Sequence, residues 1–600
     1  MSKCKFYVAA AALFISAAGH ASNAITPSSD SGCSVASSES TPAWWKEKVV
    51  YQVYLKSFKD SNGDGIGDIK GLIEKLDYLK SMGVDVVWIN PHYASPNQDN
   101  GYDISDYEKI MTDYGTMKDF DDLMSALKKR NMRLMIDVVV NHTSDQHKWF
   151  VESRKSKDNP YRDYYIWRDG KNGGAPNNYP SYFGGSAWEK DAATGQYYLH
   201  YYGKGQPDLN WDNPKVRQEV NAMLKFWMQK GVTGLRFDTV STLSKDPTFR
   251  DLTPEELADY PSTYSQGPNL HRYIKELREN INKDGHIAMV GEMSGVDLKR
   301  APLFIDRQRK ELDMPILFNV IYLGRDAATR WKQKEPITLV NLRTEICRAN
   351  EAVGKDGWNT FFLGNHDNPR AVSHFGDDRP EFRVASAKAL ATLLLTQRAT
   401  PFIYQGDELG MTNYPFNSIN DFDDVEVHGF WKDNVEKGLV SPEEFMRNIK
   451  ITARQNSRTP YQWDDSKNAG FSSGKPWLSV NSNYHDINLA SELKDTHSVN
   501  AYYKKLIDIH HHIPALVYGS YRDLDLKNNN VYAYLRELKG EQYLVLINFK
   551  SEAVSYTLPA GMTVASTITE NNGTQALNAQ TASVQLQPWQ SGIYKVTYSH

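Results

Sequence analysis

The stretch Gly231-Val-Thr-Gly-Leu-Arg-Phe-Asp238-Thr-Val240 sets an Arg and an Asp two positions apart at the end of a short apolar run. In a strand, residues i and i+2 point the same way, so Arg236 and Asp238 share one face. A guanidinium beside a carboxyl favours its ionised form, and an ionised carboxylate can act as a nucleophile. A structural ion pair would use the same two residues. Three other segments tip the balance. Val290-Gly-Glu292, Asn365-His-Asp-Asn368 and Asp137-Val-Val-Val-Asn-His142 each close an apolar run with acidic or His residues. Three carboxylates gathered at one mouth suit glycoside cleavage, in which a nucleophile and a proton donor flank the scissile bond. The third can hold sugar hydroxyls and raise the donor's pKa by like charge.

Such residues converge only if parallel strands deliver them to one side. The runs Val49–Tyr54, Val84–Asn90, Arg133–Val140, Gly234–Val240, Ile287–Glu292, Ile316–Tyr322, Thr360–Asn365 and Pro401–Gln405 read as eight strands. Amphipathic segments lie between them, among them Asp68–Met82, Met117–Arg130 and Pro214–Lys230. Alternating strand and helix predicts a parallel α/β sheet, and eight such units predict a (β/α)8 TIM barrel with its site at the C-terminal strand ends.

One connection breaks the rhythm. Residues 141–210, rich in Tyr, Gly, Asn and Asp, are far too many for an ordinary loop and read as an inserted loop-rich domain over the barrel mouth. The barrel then spans 42–140 and 211–515. Beyond Leu516, the alternating runs Val531–Arg536, Gln542–Asn548, Ala553–Leu558 and Ser583–Val596 predict a C-terminal antiparallel β domain, a β-sandwich over 516–600.

The 600 residues carry a net charge of only −4, which leaves no electrostatic footprint for nucleic acid. Lys3, Lys5, the apolar run Phe6–Ala18 and the small residues Ser22-Asn23-Ala24 read as a cleavable signal over 1–24, too short to span a bilayer. The Ser- and Thr-rich stretch 25–41 reads as a disordered lead-in. Of the cysteines, Cys4 leaves with the signal. Cys33 lies in the lead-in, so no disulfide with Cys347 is expected. The predicted location is periplasmic or secreted.

A separate signal is Asp60-Ser-Asn-Gly-Asp-Gly-Ile-Gly-Asp68. Oxygen-bearing side chains at alternate positions with glycines between them read as a calcium loop, like the first half of an EF-hand without its closing Glu. The expected ligands are Asp60, Asn62, Asp64, the Ile66 carbonyl and Asp68, and the expected cofactor is a structural Ca2+ with no organic cofactor. A plain Asx/Gly turn is the alternative.

Taken together, Asp137–His142, Gly234–Asp238, Glu292 and Phe362–Asp367 resemble the four signature regions of the α-amylase superfamily, glycoside hydrolase family 13. Gln206-Pro-Asp-Leu-Asn210 resembles its fifth region, and Gly406-Asp-Glu-Leu-Gly-Met411 the segment after strand eight. The resemblance implies a nucleophile at Asp238, a general acid/base at Glu292 and a transition-state stabiliser at Asp367. It implies that Arg236 orients Asp238, and that His142 and His366 bind glucosyl hydroxyls. Asp103 would clamp the non-reducing end with Arg454, making a blind pocket, while Tyr102 stacks on the ring. Phe183, Gln206, Tyr322 and Arg325 complete the implied substrate contacts. The partner is a small sugar, with no nucleic acid or membrane, and the relatives' habit implies a monomer.

Within the family, Tyr161-Arg-Asp-Tyr-Tyr165, Phe183-Gly-Gly-Ser-Ala-Trp188, Asn365–Pro380, Met411–Phe416 and Thr239 look like the sucrose isomerase branch, whose members convert sucrose to isomaltulose or trehalulose. The calcium-type loop is similar to one in that branch and in the oligo-1,6-glucosidases. Departures cluster on the acceptor side. Ser294 stands where that branch usually has Phe, half of an aromatic clamp. Tyr322 and Gly324 replace an Arg and an Asp of an Arg-rich loop that keeps Arg325 and Asp326. Gln455 replaces an Asp, and Leu55-Lys56 a Pro-Arg. A smaller residue in the clamp admits water, so more hydrolysis or a changed acceptor is expected, unless Tyr322 supplies the lost aromatic surface. The alternative reading is an exo-acting α-glucosidase hydrolysing sucrose, isomaltulose, trehalulose or short isomalto-oligosaccharides.

Overall fold

The computed structural model describes residues 33–38, 43–325, 328–572, 577–578 and 580–598. The predicted signal segment lies outside them. The barrel strands are β1 (Val50–Val53), β2 (Val86–Ile89), β3 (Arg133–Val138), β4 (Gly234–Phe237), β5 (Ala288–Glu292), β6 (Met314–Ile316), β7 (Asn359–Phe361) and β8 (Ala399–Tyr404). They form one eight-stranded sheet with parallel pairing throughout, β8 returning to β1. The ladder is incomplete only between β6 and β7. There Pro315 has no N–H to offer, and the Thr360 hydroxyl donates to its carbonyl instead (2.6 Å).

The strands are short and apolar on both sides because helices cover the outside and side chains fill the lumen. The helix after β1 (Ile69–Ser81) starts at Asp68, whose carboxylate accepts the Gly71 N–H (2.7 Å). The next (Met117–Lys129) starts with a reciprocal cap between Thr116 and Asp119. Their buried stripes, Leu72, Leu76 and Leu79 on one and Phe120, Leu123 and Leu127 on the other, join the barrel core. Such caps are worth about 1 kcal/mol each.

The sixth strand departs from expectation. Residues 317–322 were predicted as strand but form turns, and the strand lies earlier, at Met314–Ile316. Apolar content alone cannot set a boundary, and here the turn carries Phe318 and Tyr322 to the barrel mouth. The insert holds a small three-stranded sheet (Trp167–Arg168, Trp188–Lys190, Tyr197–Leu199), and its Tyr182 and Tyr201 share an aromatic core with Tyr264 from the segment after β4. The C-terminal domain packs a six-stranded antiparallel sheet against a two-stranded one (Val554–Thr557 with Ser583–Leu586). The predicted last strand is two strands, interrupted before Ser591, where Trp589 takes a left-handed φ of 53°. Strands Ser520–Asp523 and Met562–Glu570 were not predicted.

The lead-in expectation is corrected over its last part. Ser34–Val35 pairs antiparallel with Tyr521–Arg522 as the edge of the C-terminal sheet. Cys33 and Cys347 form a disulfide across 314 positions, joining this strap to the barrel helix Leu339–Val353. From the same helix, Arg343 makes a fully buried ion pair with Asp523. Breaking such a pair costs about 3–5 kcal/mol by stranding a buried charge. Among the described residues no helix is long and apolar enough to cross a membrane.

Candidate active site

The register of β3, β4 and β5 builds the site. Arg236 lies opposite Asp137 on β3 and Val290 on β5, so its guanidinium sits beneath three strand ends. Its Nη1 donates to Asp137 (2.5 Å) and Asp238 (2.7 Å), and its Nη2 to Glu292 Oε2. One buried cation thus faces three carboxyls. Burial and the Glu292 charge push Asp238 well above the usual carboxylate range, and Arg236 opposes them. Burial and like charge thus act on Asp238 against the ionised form that a nucleophile needs, and the Arg236 guanidinium favours it.

Directly after Asp238 the chain turns sharply. Thr239 has φ 40° and ψ 38°, a left-handed conformation that a β-branched residue adopts only under constraint, at roughly 1–3 kcal/mol. Its N–H donates to Glu292 Oε2 (3.1 Å).

Asp367 stands beyond β7, aimed by an Asx turn in which Asn365 accepts its N–H (2.9 Å). Burial raises its pKa, but His366 (3.0 Å), Arg458 (2.7 Å) and Arg454 (3.4 Å) outweigh that and hold it well below the usual range. His366 lies one layer back. Its ring stacks on Tyr102 (centroids 5.4 Å apart), and Gln52 donates to Nδ1 (2.8 Å), which puts the proton on Nε2, towards Tyr102 Oη (2.6 Å) and Asp367. His142 donates from Nε2 to the Tyr102 carbonyl (3.0 Å), and burial pushes its pKa down to about 4, so it is neutral.

The pocket is lined by Asp99, Tyr102, His142, Phe183, Asp238, Glu292, Asp367 and Arg454, with Ser294, Phe318, Tyr322, Arg330 and Glu426 towards the acceptor side. Two sequence-based assignments are corrected. Asp103 does not pair with Arg454. It is fully buried and accepts from Ser95 (3.0 Å) and the N–H groups of Gln98 (2.9 Å) and Asp99 (3.0 Å), which shapes the loop. Asp99 is the residue that loop presents. It accepts from Arg454 (2.9 Å) and Gln206 (3.0 Å), while Asp424 holds the other side of Arg454 bidentately (2.8 Å each). Gln206 therefore acts on the pocket through Asp99. Phe183 lies under the Arg454 guanidinium at 5.2 Å.

Arg325 is the second correction. Its Nη2 donates to the Ile321 carbonyl (2.7 Å) and Asn368 (3.3 Å), outside the pocket lining, and burial pushes its pKa down to about 10. Arg330 takes the place at the mouth, paired bidentately with Glu426 (2.9 and 2.8 Å). Tyr322 and Phe318 line the mouth with ring centroids 5.0 Å apart, and Ser294 lines it as well. Gly324 has φ 73°, and a Cβ there would meet Gln333 at 2.1 Å and the Glu335 carbonyl at 2.2 Å, so this loop path excludes a side chain at that position. Sequence reasoning missed Asp99, Asp424, Glu426, Arg330 and Arg458. An Asp four residues before the expected one was the single available signal.

The predicted calcium loop is wound by Asx turns. Asp60 accepts the N–H groups of Asn62 (2.9 Å), Gly63 (2.7 Å) and Gly65 (2.8 Å). Asn62 accepts from Asp64 (2.9 Å), Asp64 from Ile66 (2.8 Å), and Asp68 caps the following helix. The donor set is hard oxygen, which fits Ca2+. The carboxylates of Asp60, Asp64 and Asp68 do not all lie within 4.8 Å of one another.

The α-amylase catalytic-domain model matches residues 52–519, and the C-terminal domain model of the α-amylase SusG matches 531–593. The chain is 48% identical to an oligo-1,6-glucosidase of Parageobacillus thermoglucosidasius, over 92% of this chain and 99% of that protein. Among solved structures it is 62% identical to the trehalulose synthase MutB from Pseudomonas mesoacidophila MX-45, with a TM-score of 0.92 over 93% of this chain and all of that one. It is 61% identical, with a TM-score of 0.92 over 93% of this chain and 100% of that one, to an isomaltulose synthase variant from Erwinia rhapontici NX5 solved with sucrose. The barrel, the three strand-end carboxyls around Arg236 and these matches carry one conclusion: the chain belongs to the α-amylase family, glycoside hydrolase family 13, and is a sugar-processing enzyme.

Proposed function

We propose that this enzyme is a sucrose isomerase that forms isomaltulose, trehalulose or both, with some hydrolysis to glucose and fructose. The observation that supports this most is the closed glucosyl end. Asp99, Arg454 and Asp424 plug the pocket behind the carboxyls, so one terminal glucosyl unit fits and a chain interior does not. Asp238 attacks the anomeric carbon while Glu292 protonates the departing fructosyl oxygen. Asp367, held ionised by its Arg and His neighbours, takes the glucosyl hydroxyls. Fructose stays at the mouth between Phe318, Tyr322 and the Arg330–Glu426 pair. It re-attacks through O6 or O1, with Glu292 now the base and Asp238 released. Water entering instead gives hydrolysis, so exclusion of water decides the product.

Ser294 favours a second reading, an exo-acting α-glucosidase, because a small polar residue on the acceptor side leaves room for water. Incubation with sucrose and separation of the sugars distinguishes them. Isomaltulose or trehalulose in excess supports the isomerase. Free glucose and fructose alone would replace it with the hydrolase.

This reading includes a monomer, export through the predicted signal with the Cys33–Cys347 bond formed in an oxidising compartment, and a structural Ca2+. Asp60, Asn62, Asp64, the Ile66 carbonyl and Asp68 would hold the ion, which would tighten the loop and supply no catalytic step. Chelation is expected to lower Tm by a few degrees and leave the product ratio alone; an unmoved Tm would exclude the ion.

A further inference from the structure

The reaction needs Glu292 to hold a proton and then to accept one, and the structure distinguishes its two oxygens. Oε2 takes two donors, the Arg236 Nη2 and the Thr239 N–H. No N–H or hydroxyl group of a described residue donates to Oε1, and the Asp238 carboxyl is the other side chain hydrogen-bonded to Glu292. An oxygen accepting two N–H bonds has no room for a proton of its own, so the proton belongs on the other.

The Thr239 N–H points at Oε2 only because its residue is held left-handed, and a buried brace holds it there. The Thr239 carbonyl accepts both the N–H (3.0 Å) and the hydroxyl (2.8 Å) of Thr242. The same hydroxyl lies 3.0 Å from Asn141 Oδ1. Lys245 Nζ then donates to Asn141 Oδ1 and to the Thr242 carbonyl, both at 2.6 Å, and pairs with Asp208 at 2.8 Å. Ser241 ties the turn to the Ser294 carbonyl (2.6 Å), two residues past Glu292. Lys245, Asn141, Thr242 and Asp208 are all buried, and none lines the pocket. A fully buried lysine with three oxygen partners is a costly element unless something depends on its geometry.

We propose that Thr239, fixed in the left-handed region by the Thr242–Asn141–Lys245 brace, is a positioning residue whose N–H pins Glu292 Oε2 and so assigns the catalytic proton to Oε1. This rests on the retaining mechanism above but not on which sugar accepts the glucosyl unit. Charged or titratable groups that face Glu292 include Arg236 on β4, Asp238 just past it and, from the insert, Tyr182 and Tyr202. None of these changes when the Thr239 N–H alone is removed.

The test is an amide-to-ester replacement at 239, using the α-hydroxy analogue of threonine in the full-length enzyme. It removes the N–H and keeps the side chain. The carboxylate form of Glu292 loses a donor, so the basic limb of the kcat/KM profile for sucrose should move up by about half to one pH unit. The acidic limb should stay. Sucrose turnover at the optimum should fall about ten-fold, whereas 4-nitrophenyl α-glucoside, whose leaving group needs little protonation, should lose less than about three-fold. An unmoved basic limb, or equal losses on both substrates, would overturn the proposal. Thr239→Gly keeps the N–H in a residue at ease in the left-handed region, so whatever its rate, its basic limb should match the parent's. The same shift there would place the effect in the side chain and overturn it too. Thr242→Val should move the limb in the ester's direction by a smaller amount. A parent enzyme without glucosyl transfer to fructose or water would instead fail the functional reading itself.

Discussion

The two ends of the pocket are built on opposite principles. At the glucosyl end, Asp99, Arg454, Asp424, Asp367 and Arg458 form a continuous lattice of charge, buried except at Asp367, and Arg236 holds a second cluster with Asp137, Asp238 and Glu292 beside it. At the acceptor end, Ser294, Phe318 and Tyr322 offer rings and a small hydroxyl, and only Arg330–Glu426 is a paired charge. Buried charge lattices tolerate little, because losing one partner strands another. Aromatic walls tolerate substitution, because their contacts are non-directional. Of the positions singled out in the sequence, Ser294 and Tyr322 lie at the tolerant end, whereas Gln455 adjoins Arg454 and Lys56 donates to Asn100 beside Asp99, at the charged end.

The largest effect that tests this division is at the nucleophile. Asp238→Asn should lower turnover of sucrose and of any other α-glucoside by about 10⁴-fold or more, measured by released glucose; activity within a few-fold of the parent would remove Asp238 from the chemistry. Next, Asp99→Ala should lower kcat/KM by roughly 10–100-fold, the loss of charged hydrogen bonds to Arg454 and substrate. A smaller effect than that of the corresponding Asp103 change on kcat/KM would reverse the correction made to the clamp. At the tolerant end, Ser294→Phe should leave total sucrose consumption within about three-fold and reduce the glucose share of products by roughly two- to five-fold. An unchanged share would show that Tyr322 and Phe318 already close the mouth.

The smallest effect concerns Asp103. Burial pushes its pKa up to about 6, above its ordinary value near 3.8. Between those values the folded state binds more protons than the unfolded one, so this residue makes stability fall as pH rises from about 4 to about 6. Asp103→Asn should flatten that slope in denaturant titrations, though lowering stability overall. A slope equal to the parent's would mean that Asp103 is ionised in the fold.

How much of this was legible in the sequence follows from what is local. β3, β4 and β5 are short apolar runs with their carboxyls at or within one residue of the C-terminal end, so strand, barrel end and chemistry could be read together. The clamp could not. Asp99 and Asp103 share one loop and one residue type, and which faces Arg454 depends on N–H groups of Gln98 and Asp99 folding around Asp103. Arg325 and Arg330 pose the same problem, since the turn after β6 decides which guanidinium meets Glu426. The disulfide was missed because a Ser- and Thr-rich segment has no periodicity, and its strand partner lies in another domain.

That strap has a consequence for the order of assembly. Cys33 is synthesised well before Cys347, and Ser34–Val35 waits still longer for Tyr521 and Arg522. The disulfide needs only the barrel helix, but the strand pairing can form only once the C-terminal sheet exists, and a chain caught before that step would display the bare edge of Ser520–Asp523 to its neighbours.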